Sequence, residues 1–132
     1  PLERLLKGVP ALRAEDDVYT NHIHADDLAR LAGMTLRRGR PNRVYNAADD
    51  SHLKMGEYFD LVADQFGLPR APRVSRSVAE ATLSPLQMSF MSESRRLENR
   101  RVRKELGVRL LYPNVIEGIH AAWQERKKNG LP

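Results

Sequence analysis

Asn21-His22-Ile23-His24-Ala25-Asp26-Asp27-Leu28-Ala29, continued by Leu31, Ala32 and Leu36, is the stretch that decides how this chain is read. Val18 to Ile23 reads as a short strand. Asp26 or Asp27 stands where a helix N-cap is expected, its carboxylate able to accept backbone N–H groups that a first turn leaves without partners. Leu28, Leu31, Ala32 and Leu36 recur at helical spacing and predict one apolar stripe. Arg37 and Arg38 suit the C-terminal end of the helix dipole, and Gly39 with Pro41 ends it.

The pattern repeats downstream. Arg43-Val44-Tyr45-Asn46-Ala47-Ala48 predicts a second short strand, closed by Asp49-Asp50-Ser51. Met55, Tyr58, Phe59, Val62 and Phe66 form the stripe of a second helix that Gly67 terminates. An order of strand, helix, strand, helix favours parallel α/β pairing over a meander. Before this core, Leu2, Leu5 and Leu6 suggest a helix stopped by Gly8 and Pro10. After it, Pro69 and Pro72 forbid helix, so residues near 67–76 read as an extended connector.

The remainder is mostly helical. Ser75 caps a short helix through Val78 and Ala81, and Ser84-Pro85 opens another with proline at the first helical position. Asn99 is the expected cap for Arg100 to Leu106, with Gly107 as a left-handed stop. Leu110-Leu111-Tyr112 is short and extended. Pro113-Asn114 opens the last helix, with Val115, Ile116, Ile119, Ala122 and Trp123 on one face, Trp123 being read as a core anchor. The fold class expected is helix-rich α/β, with two or three short strands and about five helices. Such a sheet is too small for an independent α/β core, so apolar helix faces are left without partners.

Composition narrows the chemistry. The 132 residues are 41% apolar and 30% charged, as in a globular domain or a piece of one. The net charge of +5 is uneven: residues 1–66 carry −2 and residues 67–132 carry +7. No cysteine is present, which excludes disulfide scaffolds, thiolate-ligated metals and thiol nucleophiles. No apolar run approaches the roughly 20 residues of a membrane span. The start at Pro1 has neither an initiator Met nor a signal-peptide pattern, so a segment of a longer chain is expected.

The eight glycines contain no G-x-G-x-x-G or G-x-x-G-x-x-G spacing and no Gly-Lys-Ser/Thr. A phosphate-cradling turn is therefore not encoded. No tyrosine has a lysine four positions on, which removes a Tyr/Lys pair one helical turn apart, and no Gly-x-Ser-x-Gly elbow occurs. His22, His24 and Asp26 have the residue types of a metal site, but no third distant ligand group accompanies them, and helix capping accounts for the pattern. Arg95, Arg96, Arg100, Arg101, Arg103, Lys104 and Arg109 form a basic run that suits nucleic acid. Glu98 and Glu105 interleave it and no aromatic is present to stack on bases, so a solvated helix face is the leading reading.

Three stretches taken together carry a family resemblance. Residues 21–29 resemble the "hydrophobic/His-Val-x-Asp-Leu-Ala" segment of extended short-chain dehydrogenases/reductases, the nucleotide-sugar epimerase/dehydratase group. Residues 43–50 resemble that family's late "Tyr-Asn-hydrophobic-Gly/Ala" strand. Residues 98–107, with Tyr112 to Ile119 and Trp123, resemble its closing "Asp/Asn-x-x-Lys-x-x-x-x-Leu-Gly…Pro…Glu-Gly-Leu…Trp". The resemblance runs from about residue 1 to residue 128. It implies the C-terminal, substrate-binding portion of a Rossmann-type enzyme, over residues 1–132, lacking the main nucleotide-binding sheet.

By that resemblance the nucleotide-binding glycines and the catalytic Ser/Thr, Tyr and Lys lie upstream. No catalytic residue, cofactor ligand or metal ligand is assigned to this segment, and NAD or NADP belongs to the parent protein. Asn21, His22 and His24 carry over as substrate-pocket or pocket-support positions, and Asp27 as a structural residue at the helix start. Thr20 stands where sugar epimerases often have an arginine that clamps a diphosphate, and no second family arginine occurs among Pro85 to Ser94. A sugar-like or small, uncharged carbonyl or alcohol substrate is implied. The expected partners are that substrate and the N-terminal Rossmann half, with room for a homodimer through exposed apolar helix faces. Neither membrane nor nucleic acid is expected, and the location is cytoplasmic. The alternative from another class is a basic helical module binding nucleic acid or an acidic protein through residues 95–109.

Overall fold

Three helices of 12 to 14 residues, Ala25–Arg38, Met55–Phe66 and Val115–Lys128, make up the largest elements of the molecule. The structure, a computed structural model, describes residues 1–130. Along the chain run α1 (Leu2–Leu6), β1 (Ala11–Leu12), β2 (Tyr19–Thr20), α2 (Ala25–Arg38), β3 (Leu53–Lys54), α3 (Met55–Phe66), β4 (Arg73–Val74), α4 (Arg76–Thr82), α5 (Pro85–Phe90), α6 (Arg100–Lys104) and α7 (Val115–Lys128). The helix-rich α/β class holds, with seven helices and four two-residue strands among the described residues in place of about five and two or three.

Helix α3 behaves as its stripe predicts. Phe59, Val62 and Ala63 are buried with Leu5 of α1, Ala11 and Ala71, and Ile119 of α7 packs against the same cluster. Gly67 ends the helix at φ +64°, where its amide bonds the carbonyls of Ala63 and Asp64. A side chain is strained at that angle, which is why glycine is the efficient stop. Leu12, Ala79 and Met91 form a second cluster under α4 and α5, and Leu31, Val102, Leu106 and Val108 a third between α2 and α6.

Strand pairing departs from the expected arrangement. The parallel pair is β1 with β4, in register Ala11 to Arg73 and Leu12 to Val74. The connector thus contains a strand, and Arg73 fixes it by donating to Leu12 O at 3.0 Å and to Asp60 Oδ2 at 2.7 Å. β2 is shorter than expected and pairs antiparallel with β3, Tyr19 opposite Lys54. Residues 43–48 form no strand, although their sequence is strand-like. Among the described residues no backbone bond is made by the N–H groups of Val44 to Ala48. β-Propensity is realised only where a neighbouring strand is present.

The caps also shift. His24, not Asp26 or Asp27, caps α2, its Nδ1 accepting the Asp26 N–H at 3.3 Å. Asp27 is fully buried, and its carboxylate accepts from the amides of Leu111 and Tyr112, both at 2.9 Å, and from Arg30 at 2.8 Å. Three donors meet the requirement of a buried charge, so Asp27 fastens α2 to the chain before α7. Asn99 makes no cap bond; its amide donates instead to Ala48 O and Asp50 Oδ1, both at 2.8 Å. Ser75, Ser84 and Asn114 cap their helices as the sequence predicts. Trp123 is half-buried outside the core clusters, with the Lys127 ammonium 3.8 Å from its ring centre.

Candidate functional site

The loop from β2 into α2, the turn after residues 43–48 and the start of α7 border a cavity of about 500 Å³ that is open on one side. Its wall includes Asn21, His22, His24, Asp49, Tyr58 and Asn114. The cavity lies at the carboxyl end of residues 43–48, the side on which open α/β sheets bind their ligands. All three sequence-predicted positions therefore meet in one place, but their roles differ.

Asn21 is a clamp. Its Nδ2 donates to Arg95 O at 3.0 Å and its Oδ1 accepts from Leu97 N at 2.8 Å, so the side chain substitutes for a backbone pair and holds residues 95–97 beside β2. His24 is occupied as the α2 cap, and its ring lies 3.9 Å, centre to centre, from that of Tyr112. His22 is the most exclusively pocket-facing of the three. It stacks on Tyr58 at 4.1 Å, and its Nε2 shares a hydrogen bond with the Thr20 hydroxyl at 2.8 Å. Burial holds the imidazole below its usual pKa, favouring the neutral ring.

Two groups were visible in the sequence only as structure. Tyr58 reads as a member of an apolar stripe, yet the stripe's edge puts its ring on the cavity wall, and burial raises the phenol pKa. Asp49 reads as the end of a strand, yet it is buried, with Oδ1 accepting from Ser51 N at 2.8 Å. Burial raises its pKa, partly opposed by the Ser51 hydrogen bonds and by His52. The signal for Asp49 was positional: an acidic turn at the carboxyl end of a strand-like run.

The arrangement can grip a small polar molecule, orient it between rings and exclude water from one side. Among the described residues no group of three His, Cys, Asp or Glu converges as a metal site, and His22 and His24 address different partners. Among the described residues no positive-φ glycine stands in a strand-to-helix turn. Gly8, Gly67, Gly107 and Gly130 adopt positive φ in the turns that follow α1, α3, α6 and α7. In the basic run, Arg101 donates to Val44 O and Arg103 pairs with Asp50, so part of that charge holds residues 43–50 in place. No helix among the described residues is long and apolar enough to cross a membrane.

Solved structures share this fold. A conserved, functionally unknown protein from Silicibacter pomeroyi DSS is 34% identical, with a TM-score of 0.75 over 83% of this chain and 39% of its own. The human epimerase family protein SDR39U1, crystallised with NADPH, is 16% identical, with a TM-score of 0.74 over 93% of this chain and 41% of its own. PA4631, a nucleoside-diphosphate-sugar epimerase from Pseudomonas aeruginosa, is 24% identical, with a TM-score of 0.68 over 86% and 37%. The helix-rich α/β architecture thus matches part of the epimerase/short-chain dehydrogenase fold. The chain spans about two fifths of the length of each of these proteins. No protein-family model matches it, and no curated protein is similar to it.

Proposed function

We propose that this chain is the substrate-side lobe of an NAD(P)-dependent oxidoreductase or epimerase/dehydratase of the extended short-chain type. Its substrate is sugar-like or a small carbonyl or alcohol. The observation that carries the reading is the cavity at the carboxyl end of residues 43–48, a strand-like segment whose backbone N–H groups have no partner among the described residues. A neighbouring strand from a nucleotide-binding half answers those groups and closes the cavity's open side. The NADPH in the human neighbour and the fold shared over about two fifths of its length support the same reading.

In this reading the lobe binds and orients substrate and keeps water from it, and it supplies no catalytic acid or base. NAD or NADP is held by residues outside this chain. The absence of G-x-G-x-x-G spacing in its sequence supports this reading, as does the NADPH of the human neighbour, of whose chain this fold covers 41%. The exposed Leu36 and Val44, 90% and 69% accessible, belong to the face that the other half covers.

The test compares the 132-residue chain with the longer protein that this proposal requires, one that adds a nucleotide-binding half, by NADPH fluorescence titration. The longer protein is expected to bind NADPH and the chain alone to leave its fluorescence unchanged. Saturable NADPH binding by the 132-residue chain would overturn the proposal.

A further inference from the structure

We propose that the cavity selects uncharged hydroxyl- or carbonyl-bearing ligands and rejects phosphorylated ones, with Asp49 as the residue that decides. The proposal rests on the reading of this cavity as the substrate side and adds its charge preference.

No lysine or arginine lines the cavity. Asp49 is 5% exposed, and the Ser51 N–H fixes its carboxyl group in the wall at 2.8 Å. A phosphate needs cations or free N–H donors to replace its water, and here it would be set against a carboxylate. Two of the first amides of α7 are already engaged. Its Val115 N–H is already given to Ser51 Oγ at 2.8 Å and its Glu117 N–H to Asn114 Oδ1 at 3.0 Å. Asn114 Nδ2, which could otherwise donate to a ligand, is given to Glu117 Oε1 at 2.6 Å. His22 contributes no cation, since its stacked, half-buried ring favours the neutral form. What remains suits neutral ligands: a phenol, an imidazole, a carboxylate acceptor and the apolar surface of Ile119.

Cations do exist in an adjoining groove lined by Arg100, Arg103 and Lys104, which Asp49 also borders from its other side. Arg103 is paired there with Asp50. Anions drawn to the chain collect in that groove, so the two locations must be read separately.

The test is NMR titration of the isotope-labelled 132-residue chain at pH 7.5 with matched pairs: glucose and glucose 6-phosphate, glycerol and glycerol 3-phosphate, dihydroxyacetone and its phosphate. At least one neutral member is expected to shift the resonances of His22, Tyr58 and Ile119. Its ester is expected to do so at least about tenfold more weakly, any response to it lying at Arg100 and Lys104. Asp49→Asn is expected to narrow the gap about fivefold, and the comparison within the unaltered chain stands even if that variant is poorly folded. An ester that moves the cavity resonances as readily as its neutral partner overturns the proposal, and so does a cavity that responds to none of the six. Both outcomes leave the NADPH comparison of the longer protein untouched.

Discussion

Helices α2 and α3 are of similar length and both carry an apolar stripe, yet only α3 uses all of its own. On α3 the predicted stripe meets α1, β1 and α7, and Phe59, Val62 and Ala63 disappear from solvent. On α2 the inward face is Asp27 and Leu31, while Leu28 and Leu36 of the predicted stripe stay 47% and 90% exposed. Periodicity states that a face wants covering; it does not state by what. The difference is the physical basis for assigning the α2 side, with residues 43–48, to a partner half.

Mutations at the two helices should therefore diverge. Phe59→Ala is expected to cost about 3–5 kcal/mol in urea unfolding of the 132-residue chain, because it empties the α3 cluster. Leu36→Ala on the open face should stay within about 0.5 kcal/mol. Equal losses would erase the distinction. Asp27→Ala is expected to approach the Phe59 value, about 3 kcal/mol, since it removes a fully buried carboxylate and with it the partner of the Leu111 and Tyr112 amides and of Arg30. That would show that α2 depends on the Asp27 hydrogen bonds in addition to the packing of Leu31, where α3 depends on packing.

Smaller effects sharpen the same contrast. Gly56→Ala places a methyl group on the Arg73 guanidinium and should cost about 1–2 kcal/mol through the lost Leu12 and Asp60 bonds. Gly67→Ala should cost about 1 kcal/mol because φ is +64°.

The pH dependence follows from burial. Asp49 has a raised folded-state pKa, so its favourable contribution is full below the unfolded value and is lost as pH rises through the folded one. Asp49→Asn should thus gain stability relative to the parent chain at pH 7 and lose that gain toward pH 3. His22 has a lowered folded-state pKa, so its contribution is full above the unfolded value, about 6.5, and is lost as pH falls. His22→Phe should flatten that acid-side loss in thermal unfolding scans.

Much of this architecture could be read from residues alone, for identifiable reasons. The α3 stripe, the Ser75, Ser84 and Asn114 caps and the Gly67 stop are local, and local chemistry decided them. The parallel pairing of β1 with β4 was not readable, because two-residue strands carry no periodicity. Asp27 reads as structural from its sequence alone, yet its partners at Leu111 and Tyr112 lie more than eighty residues away, and the local pattern offers only an N-cap. At the candidate site, Asn21, His22 and His24 do converge, but Tyr58 and Asp49 were hidden by good structural readings of the same residues.

Hydrogen exchange at the amides of Val44 to Ala47, with buried Ala48 set aside, tests the central claim most directly. In the 132-residue chain these amides should exchange close to the rate of an unprotected backbone, and in the longer protein they should slow by at least about a hundredfold as a neighbouring strand pairs with them. Equal exchange in both proteins, or strong protection in the 132-residue chain alone, would contradict the assignment of this edge to a nucleotide-binding half.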